Sequence, residues 1–283
     1  VYYEGKPILM SAKLVDWHVS YSNTDGFGYS DAVGCPYFSS ATVVAVEPPR
    51  IEDIVSSGNK IGFSIEQLFS SEAWPLPCNY QYFQRYEFYD DGSFRIAAAS
   101  IGRGCGNDGT YRPVFRIAFA GNKNQVLQWI DSSYSKIPNE RWIQQKATTS
   151  YDTDGALFQF VNEHVAYKIV PANGQFTDGG RGDAAYIYFT VNNFDKDEGE
   201  SDLPTIGPCC NTDYHQGPEK FIEPNPQQFT EQPIVMWYVP QMKNDDTKGK
   251  EYCWTETEII NGAYQTRIFP CIGGPKFIPL KNE

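Results

Sequence analysis

Through most of the chain, apolar and polar residues alternate with a period of two, in short runs broken by turn residues. That is the signature of half-buried strands. Residues 8–21 read as a first strand carrying Trp17, followed by a turn-rich stretch at 22–28 and a second strand around 41–46 that ends at Glu47-Pro48-Pro49. Residues 51–55 and 64–69 are the best candidates for short helices, the latter with Ile65, Leu68 and Phe69 forming an apolar stripe. Trp74-Pro75-Leu76-Pro77 then leads stiffly into a long hairpin, because each proline restricts itself and its predecessor. The strands of that hairpin, 80–89 and 93–101, flank Asp91-Gly92, and a second hairpin over 252–260 and 263–269 flanks Asn261-Gly262. In both, glycine accepts the positive φ that a two-residue loop requires.

Further strands are expected at 112–120, 125–130, 157–161, 165–170, 184–191 and 234–238. Their spacing suits a sandwich, and no repeat of solenoid or propeller length occurs. Residues 195–232 are polar and dotted with proline, an extended arm or a surface-hugging loop. The expected fold is all-β: one large antiparallel β-sandwich over residues 1–283, with a few short helices. Composition agrees, since 18 Phe, 19 Tyr and 6 Trp against 3 Met, with 24 Gly and 19 Pro, favour pleated strands and sharp turns.

Charge narrows the partners. A formal charge of −12 and a pI near 4.8 argue against nucleic acid, which needs a concentrated basic surface. No run approaches the roughly 18 apolar residues of a membrane span. The chain starts at Val1 with no charged-then-apolar leader, so an N-terminal segment removed during export is the expectation.

Seven cysteines point the same way, to an oxidising compartment. Cys78 and Cys105 are symmetric about the centre of Asp91-Gly92, and Cys253 and Cys271 are within one residue of symmetry about Asn261-Gly262. A disulfide at the open end of each hairpin follows, Cys78 with Cys105 and Cys253 with Cys271; buried, free thiols are the alternative. Cys35 then pairs with Cys209 or Cys210, and the odd thiol is free or joins another chain.

Local catalytic signatures are scarce. The three histidines, His18, His164 and His215, have no metal-ligand spacing, and no serine lies in a Gly-x-Ser-x-Gly elbow. Asp195, Asp197, Glu198, Glu200 and Asp202 surround Gly199 and offer oxygen ligands that suit calcium, although a solvated acidic loop has the same composition. Asp152-Thr153-Asp154-Gly155 reads as a turn. Arg181-Gly182-Asp183 spells an integrin-recognition tripeptide, a match that chance produces often. The aromatic load offers sugar-stacking platforms as well as core. No Asn-x-Ser/Thr acceptor is present.

Cys78-Asn79-Tyr80-Gln81-Tyr82, followed by Phe88-Tyr89-Asp90-Asp91-Gly92-Ser93, resembles copper amine oxidases. There an Asn-Tyr-Asp/Glu motif before a similar hairpin holds the tyrosine that copper and oxygen convert into a quinone. The resemblance continues through Tyr111-Arg112-Pro113-Val114-Phe115-Arg116-Ile117, Arg141-Trp142, Ala166-Tyr167-Lys168-Ile169-Val170-Pro171 and Pro233-Ile234-Val235-Met236-Trp237-Tyr238, about half the chain. It implies the supersandwich of that family's catalytic domain and places Tyr80 at the quinone-precursor position. Gln81 replaces the acidic neighbour. Tyr111-Arg112-Pro113 stands where the family's His-x-His copper pair is expected, and Val239-Pro240-Gln241-Met242-Lys243 where its third copper histidine is expected. The short stretch between Glu47 and the hairpin leaves no room for the segment bearing the family's upstream catalytic Asp.

Without imidazoles, copper lacks its usual nitrogen ligands and quinone formation lacks its metal. The expectation is therefore a non-catalytic, secreted or surface-exposed β-sandwich that acts as a structural or binding component of an extracellular assembly, with no cofactor beyond calcium. Its partners would be copies of itself, other extracellular or surface proteins, or glycans. A copper and quinone amine oxidase or other redox enzyme is the first alternative, and a carbohydrate-binding module the second.

Overall fold

The computed structural model describes residues 1–21, 30–32, 43–76, 79–102, 109–121, 123–146, 148–172, 183–193, 221–230, 232–243, 255–268 and 271–280. Among them the chain forms strands and no α-helix. A small turn of β1 (Tyr2–Tyr3) and β2 (Lys6–Pro7) precedes the long β3 (Leu9–Tyr21), then β4 (Ser30–Ala32) and β5 (Val44–Ala45). Two hairpins follow, β6 (Arg50–Ser56) with β7 (Asn59–Ser70) and β8 (Gln81–Tyr89) with β9 (Phe94–Ile101), and then β10 (Gly109–Phe119). The middle of the chain supplies β11 (Gln125–Ile130), β12 (Ser133–Lys136), β13 (Arg141–Gln144), β14 (Phe158–Val161), β15 (Ala166–Val170) and β16 (Tyr186–Val191). The order ends with β17 (Ile234–Val239), β18 (Met242–Lys243), the hairpin β19 (Thr255–Ile260) with β20 (Ala263–Ile268), β21 (Cys271–Gly273) and β22 (Lys276–Pro279).

Two antiparallel sheets carry most of these strands. The first runs β13-β16-β17-β10-β3-β4, with β18 also on β10. The second runs β12-β11-β14-β15-β22-β9-β8-β7-β5, with β21 on β9 and β6 on β7. Their inner faces share one core: Trp17, Phe115, Phe119 and Tyr238 of the first meet Tyr82, Phe94, Phe160 and Phe277 of the second. The aromatic composition thus becomes the filling of a sandwich. Phe119 stacks on Phe160 across the sheets, with ring centroids 3.9 Å apart, and Phe94 stacks on Phe277 at 4.6 Å within the second. Such pairs add about 0.5–1.5 kcal/mol beyond the area they bury.

β17 is apolar throughout because both its faces are covered. Ile234, Met236 and Tyr238 face the shared core, while Val235, Trp237 and Val239 form an outer cluster with Ile222. Phe221 stacks on Trp237 there, at 5.3 Å. Of the polar segment 195–232, the described part near its end therefore hugs the surface: Ile222 is buried outside β17, and Phe229 is buried in the main core. Among the described residues no helix is long and apolar enough to cross a membrane.

The structure corrects two local expectations. Residues 51–55 and 64–69 are not helices but lie in β6 and β7, joined at Ser57-Gly58, whose φ values of 50° and 81° make a tight hairpin turn. Ile65 faces Tyr86 and Leu68 faces Phe83 across the ladder, so the apparent helical stripe is split over the two faces of a strand. At Asp91-Gly92 the loop has three residues instead of two: Phe88 pairs with Phe94, and the Tyr89 amide bonds the Ser93 carbonyl at 2.9 Å. Gly92 takes φ 82° and Tyr3 packs over it, where a Cβ would come within 2.4 Å of the ring. The ladder is therefore centred on Asp91, one half-step from the symmetry that paired Cys78 with Cys105. The second hairpin matches its expectation, with Ile260 opposite Ala263 and both Asn261 and Gly262 at positive φ.

Candidate functional site

The residues that the resemblance singles out gather at the open end of the β8–β9 hairpin. The chain enters β8 through Tyr80, whose carbonyl accepts from the Ser71 amide at 2.8 Å and whose amide donates to Ser71 Oγ at 3.0 Å. Alternation along β8 turns Tyr80 and Tyr82 into the core, while Phe83 packs with Ala99 and Ile101 on the other face. Tyr80 is 2% exposed and stacks on Tyr82 at 5.7 Å. Tyr82 in turn lies 3.9 Å from Trp17 of β3, nearly parallel, and meets Tyr111 of β10 edge-on at 6.4 Å.

The strands expected to bear copper ligands do converge beside this stack. Tyr111 pairs with Met242 and Thr110 with Lys243, bringing β18 against the start of β10. β17 and β18 hold one register along β10, interrupted where Pro113 would face Pro240 and neither can donate an N–H. Tyr111 and Met242 enter the core. Arg112, on the opposite face, donates from Nε to Gln241 Oε1 at 3.1 Å, and Gln241 Nε2 reaches the Ala184 carbonyl at 2.9 Å. The geometry of convergence is present, made of phenol, thioether, guanidinium and amide.

Of the three histidines, His164 is the one whose side chain is described, and it lies away from this point. His164 sits between β14 and β15, 3.4 Å from Glu163, in a cleft that also contains Asp91. It is therefore at the far end of the nine-residue β8, about 30 Å from Tyr80 along the strand. His18 lies on β3 opposite Arg112, but its side chain, and all of His215, fall outside the described residues. Among the described residues no three His, Cys, Asp or Glu side chains are grouped to hold a metal ion.

The proposed calcium ligands Asp195, Asp197, Glu198, Glu200 and Asp202 lie outside the described residues, as do Cys35, Cys78, Cys105, Cys209, Cys210 and Cys253. Cys271 is on β21, opposite Ser100 of β9 in the second sheet. Asp152 to Gly155 form the expected turn, the Asp152 carboxylate accepting from the amides of Asp154 at 2.9 Å and Ala156 at 2.8 Å.

Asp183 is the residue that sequence reasoning missed. It is fully buried, its carboxylate accepting from the Tyr238 hydroxyl and from the Ala172 amide at 3.2 Å. Arg181-Gly182-Asp183 therefore has no carboxylate to present to a receptor. Burial pushes the acid up to about 7, against the Tyr238 hydrogen bond, the charge of Arg95 and the amides of Ala172 and Gly274. No local motif signals such a group, because its partners come from distant strands.

No protein-family model matches the sequence, and no curated protein matches it by sequence. Solved structures do match by fold. An amine oxidase from Aspergillus nidulans aligns with 99% of this chain and 48% of its own, at 14% identity and a TM-score of 0.53. A copper-containing benzylamine oxidase from Hansenula polymorpha aligns with 99% of this chain and 56% of its own, at 11% identity and a TM-score of 0.58. A lysyl oxidase from Pichia pastoris aligns with 98% and 48%, at 11% identity and a TM-score of 0.50. The chain spans about half the length of these structures. The likeness supports the resemblance to the amine oxidase catalytic domain, and it is a likeness of fold.

The stack predicts a mild outcome for the hydroxyl at the quinone position. Tyr80→Phe keeps the ring contacts with Tyr82, so the expected loss of stability is no more than about 1.5 kcal/mol, the net value of one hydrogen bond. Urea unfolding followed by tryptophan fluorescence measures it, and a loss of several kcal/mol would show that the hydroxyl, not the ring, organises the site.

Proposed function

We propose that the protein is a non-catalytic, exported relative of the amine oxidase fold that serves as a structural or binding component of an extracellular assembly. The observation that carries this reading is the aromatic packing at the position the resemblance gives to the quinone precursor. Tyr80 is sealed in an aromatic stack, and the strands converging on it contribute Tyr111 and Met242 to the same core. A closed stack favours stability over reaction, since a quinone cofactor needs oxidant, substrate and metal to reach the ring. The seven cysteines and the acidic charge support an extracellular address.

The second reading is a copper and quinone oxidase or other redox enzyme, and the fold of the matched structures favours it. One experiment separates the two. Elemental analysis and intact-mass measurement of the purified protein are expected to find copper far below one atom per chain and an unmodified Tyr80. Amines should release no peroxide. Stoichiometric copper, or a quinone absorption band with amine-dependent peroxide, would sink the proposal. The same measurements count disulfides and report any calcium held by Asp195, Asp197, Glu198, Glu200 and Asp202.

A further inference from the structure

Three Asp-Gly or Asn-Gly pairs lie wholly within the described residues, Asp91-Gly92, Asp154-Gly155 and Asn261-Gly262, and each stands in a turn. In the first two the glycine amide is engaged: Gly92 donates to the Tyr89 carbonyl at 3.0 Å and Gly155 to the Asp152 carbonyl at 3.1 Å. Their acids are engaged as well, Asp91 Oδ1 by the Ser93 amide at 2.8 Å and Asp154 Oδ2 by Lys168 Nζ. The third pair differs. Among the described residues no hydrogen bond holds the Gly262 amide or the Asn261 side chain. The buried Asn124 and Asn162, by contrast, are tied down, their Nδ2 groups donating to the Gly121 and Ala120 carbonyls at 3.1 Å each.

Asn261 and Gly262 form the tip of the β19–β20 hairpin, which belongs to neither large sheet. Both residues are exposed, at φ 54° and 81°, and no atom lies within 4 Å of the place a Gly262 Cβ would take. Nothing there shields the Gly262 nitrogen. Ile259, 65% exposed, and Tyr264, 80% exposed, flank the tip and stand open themselves. A two-stranded ribbon is marginally stable in water, and Asn261 is held in the left-handed region at a cost. The turn therefore opens more easily than the sandwich does. Once open, it lets Asn261 swing its carboxamide carbon, Cγ, onto the neighbouring nitrogen.

We propose that Asn261 is a site of spontaneous covalent modification: its side chain condenses with the Gly262 amide, loses ammonia and is converted to aspartate and isoaspartate. The Gly262 nitrogen attacks Asn261 Cγ, the new N–C bond closes a succinimide ring, and the side-chain nitrogen leaves as ammonia with the backbone amide proton. Water then opens the ring. Addition at the side-chain carbonyl gives aspartate, and addition at the backbone carbonyl gives isoaspartate, in which the main chain runs through Cβ. Water is the only co-reactant. Either product puts a carboxylate on a neutral tip, between the apolar pairs Ile259-Ile260 and Ala263-Tyr264. Isoaspartate also lengthens the backbone of a two-residue loop whose length is matched to the pairing of Ile260 with Ala263.

The full chain would be held at 37 °C at pH 6 and pH 8.5 and sampled by peptide mass mapping, with isoaspartate counted by enzymatic carboxyl methylation. A synthetic peptide of residues 255–267 is the unfolded reference. Asn261 in the folded chain is expected to lose its amide within about tenfold of the peptide's rate, an opening cost of no more than about 1.4 kcal/mol. Loss should be faster at pH 8.5, because the attacking nitrogen must shed its proton. Asn59, also exposed but followed by Lys60, and the buried Asn124 and Asn162 should stay intact over the same interval. Gly262→Ala should slow the loss at least about tenfold by crowding the nitrogen, equivalent to 1.4 kcal/mol. The same change in the peptide separates crowding from any loosening of the turn. Asn261 intact through several half-lives of the peptide, loss there no faster than at Asn59, or loss indifferent to Gly262→Ala in both chain and peptide would each overturn the assignment.

Discussion

Asn in place of Asp183 is expected to abolish a fall in stability that the wild type suffers between pH 4 and pH 8, on the order of a few kcal/mol. The cause is burial, which raises the carboxyl from its ordinary 3.8 to about 7 in spite of the Tyr238 hydroxyl, Arg95 and the amides of Ala172 and Gly274. An unfolded chain releases this proton near pH 4 and the folded chain near pH 7. Between those values the folded state binds the extra proton, so this group's contribution is complete below the unfolded pKa and is lost as pH rises through the folded one. The groups around it do not reverse the sign. The Tyr238 hydroxyl is itself held well above its usual range by burial and by Asp183, and Tyr151 is raised by burial and, to a smaller extent, by Asp183. Asparagine keeps the acceptor for Tyr238 and Ala172 without the charge. Urea midpoints of both proteins from pH 4 to pH 8.5 test this, and parallel profiles would remove Asp183 as the titrating group.

Alanine at Gly274 is expected to cost more than about 4 kcal/mol or to abolish folding, a loss reserved for backbone collisions and comparable defects. Gly274 joins β21 to β22, both on β9, at φ 136°. A Cβ there would lie 2.0 Å from the Ile96 carbonyl oxygen and 2.8 Å from Ala97 Cα, backbone atoms with no freedom to withdraw. Its neighbour Gly273 is as constrained, since a Cβ would meet Asp183 Oδ1 at 2.7 Å and Pro240 at 2.8 Å. The glycine pair is what lets the two sheets close around the buried acid. Gly262→Ala is the control: nothing lies within 4 Å of its Cβ position, so only its φ of 81° is disturbed and the expected cost is about 1–2 kcal/mol. Thermal melts of the two variants should differ widely. Equal melts would mean that the β21–β22 corner shifts to accept a methyl group.

Much of the fold was legible because strands and tight turns are written locally. The runs around Trp17, Phe94, Phe115 and Trp237 and the Asn261-Gly262 turn read correctly from spacing alone. The β6–β7 hairpin did not, because Ile65 and Leu68 are also at helical spacing and only pairing with Tyr86 and Phe83 assigns them to opposite faces. The Tyr80 region was legible only in part. The motif located the stack, but that Tyr111 and Met242 would be neighbours depends on β18 sharing β10 with β17.

By itself, then, the sequence determined an all-β chain, the position of its second hairpin turn and a supply of only three histidines, because these depend on composition and on bonds among near neighbours. The tertiary structure alone decided that Asp183 of the apparent recognition tripeptide is buried beside Tyr238. It also decided that Trp142, an ordinary strand aromatic in the sequence, stacks on Tyr188 of the neighbouring β16. Those outcomes follow from sheet order. Antiparallel pairing joins strands far apart in the chain, and no local periodicity records which of them will face each other across a sandwich.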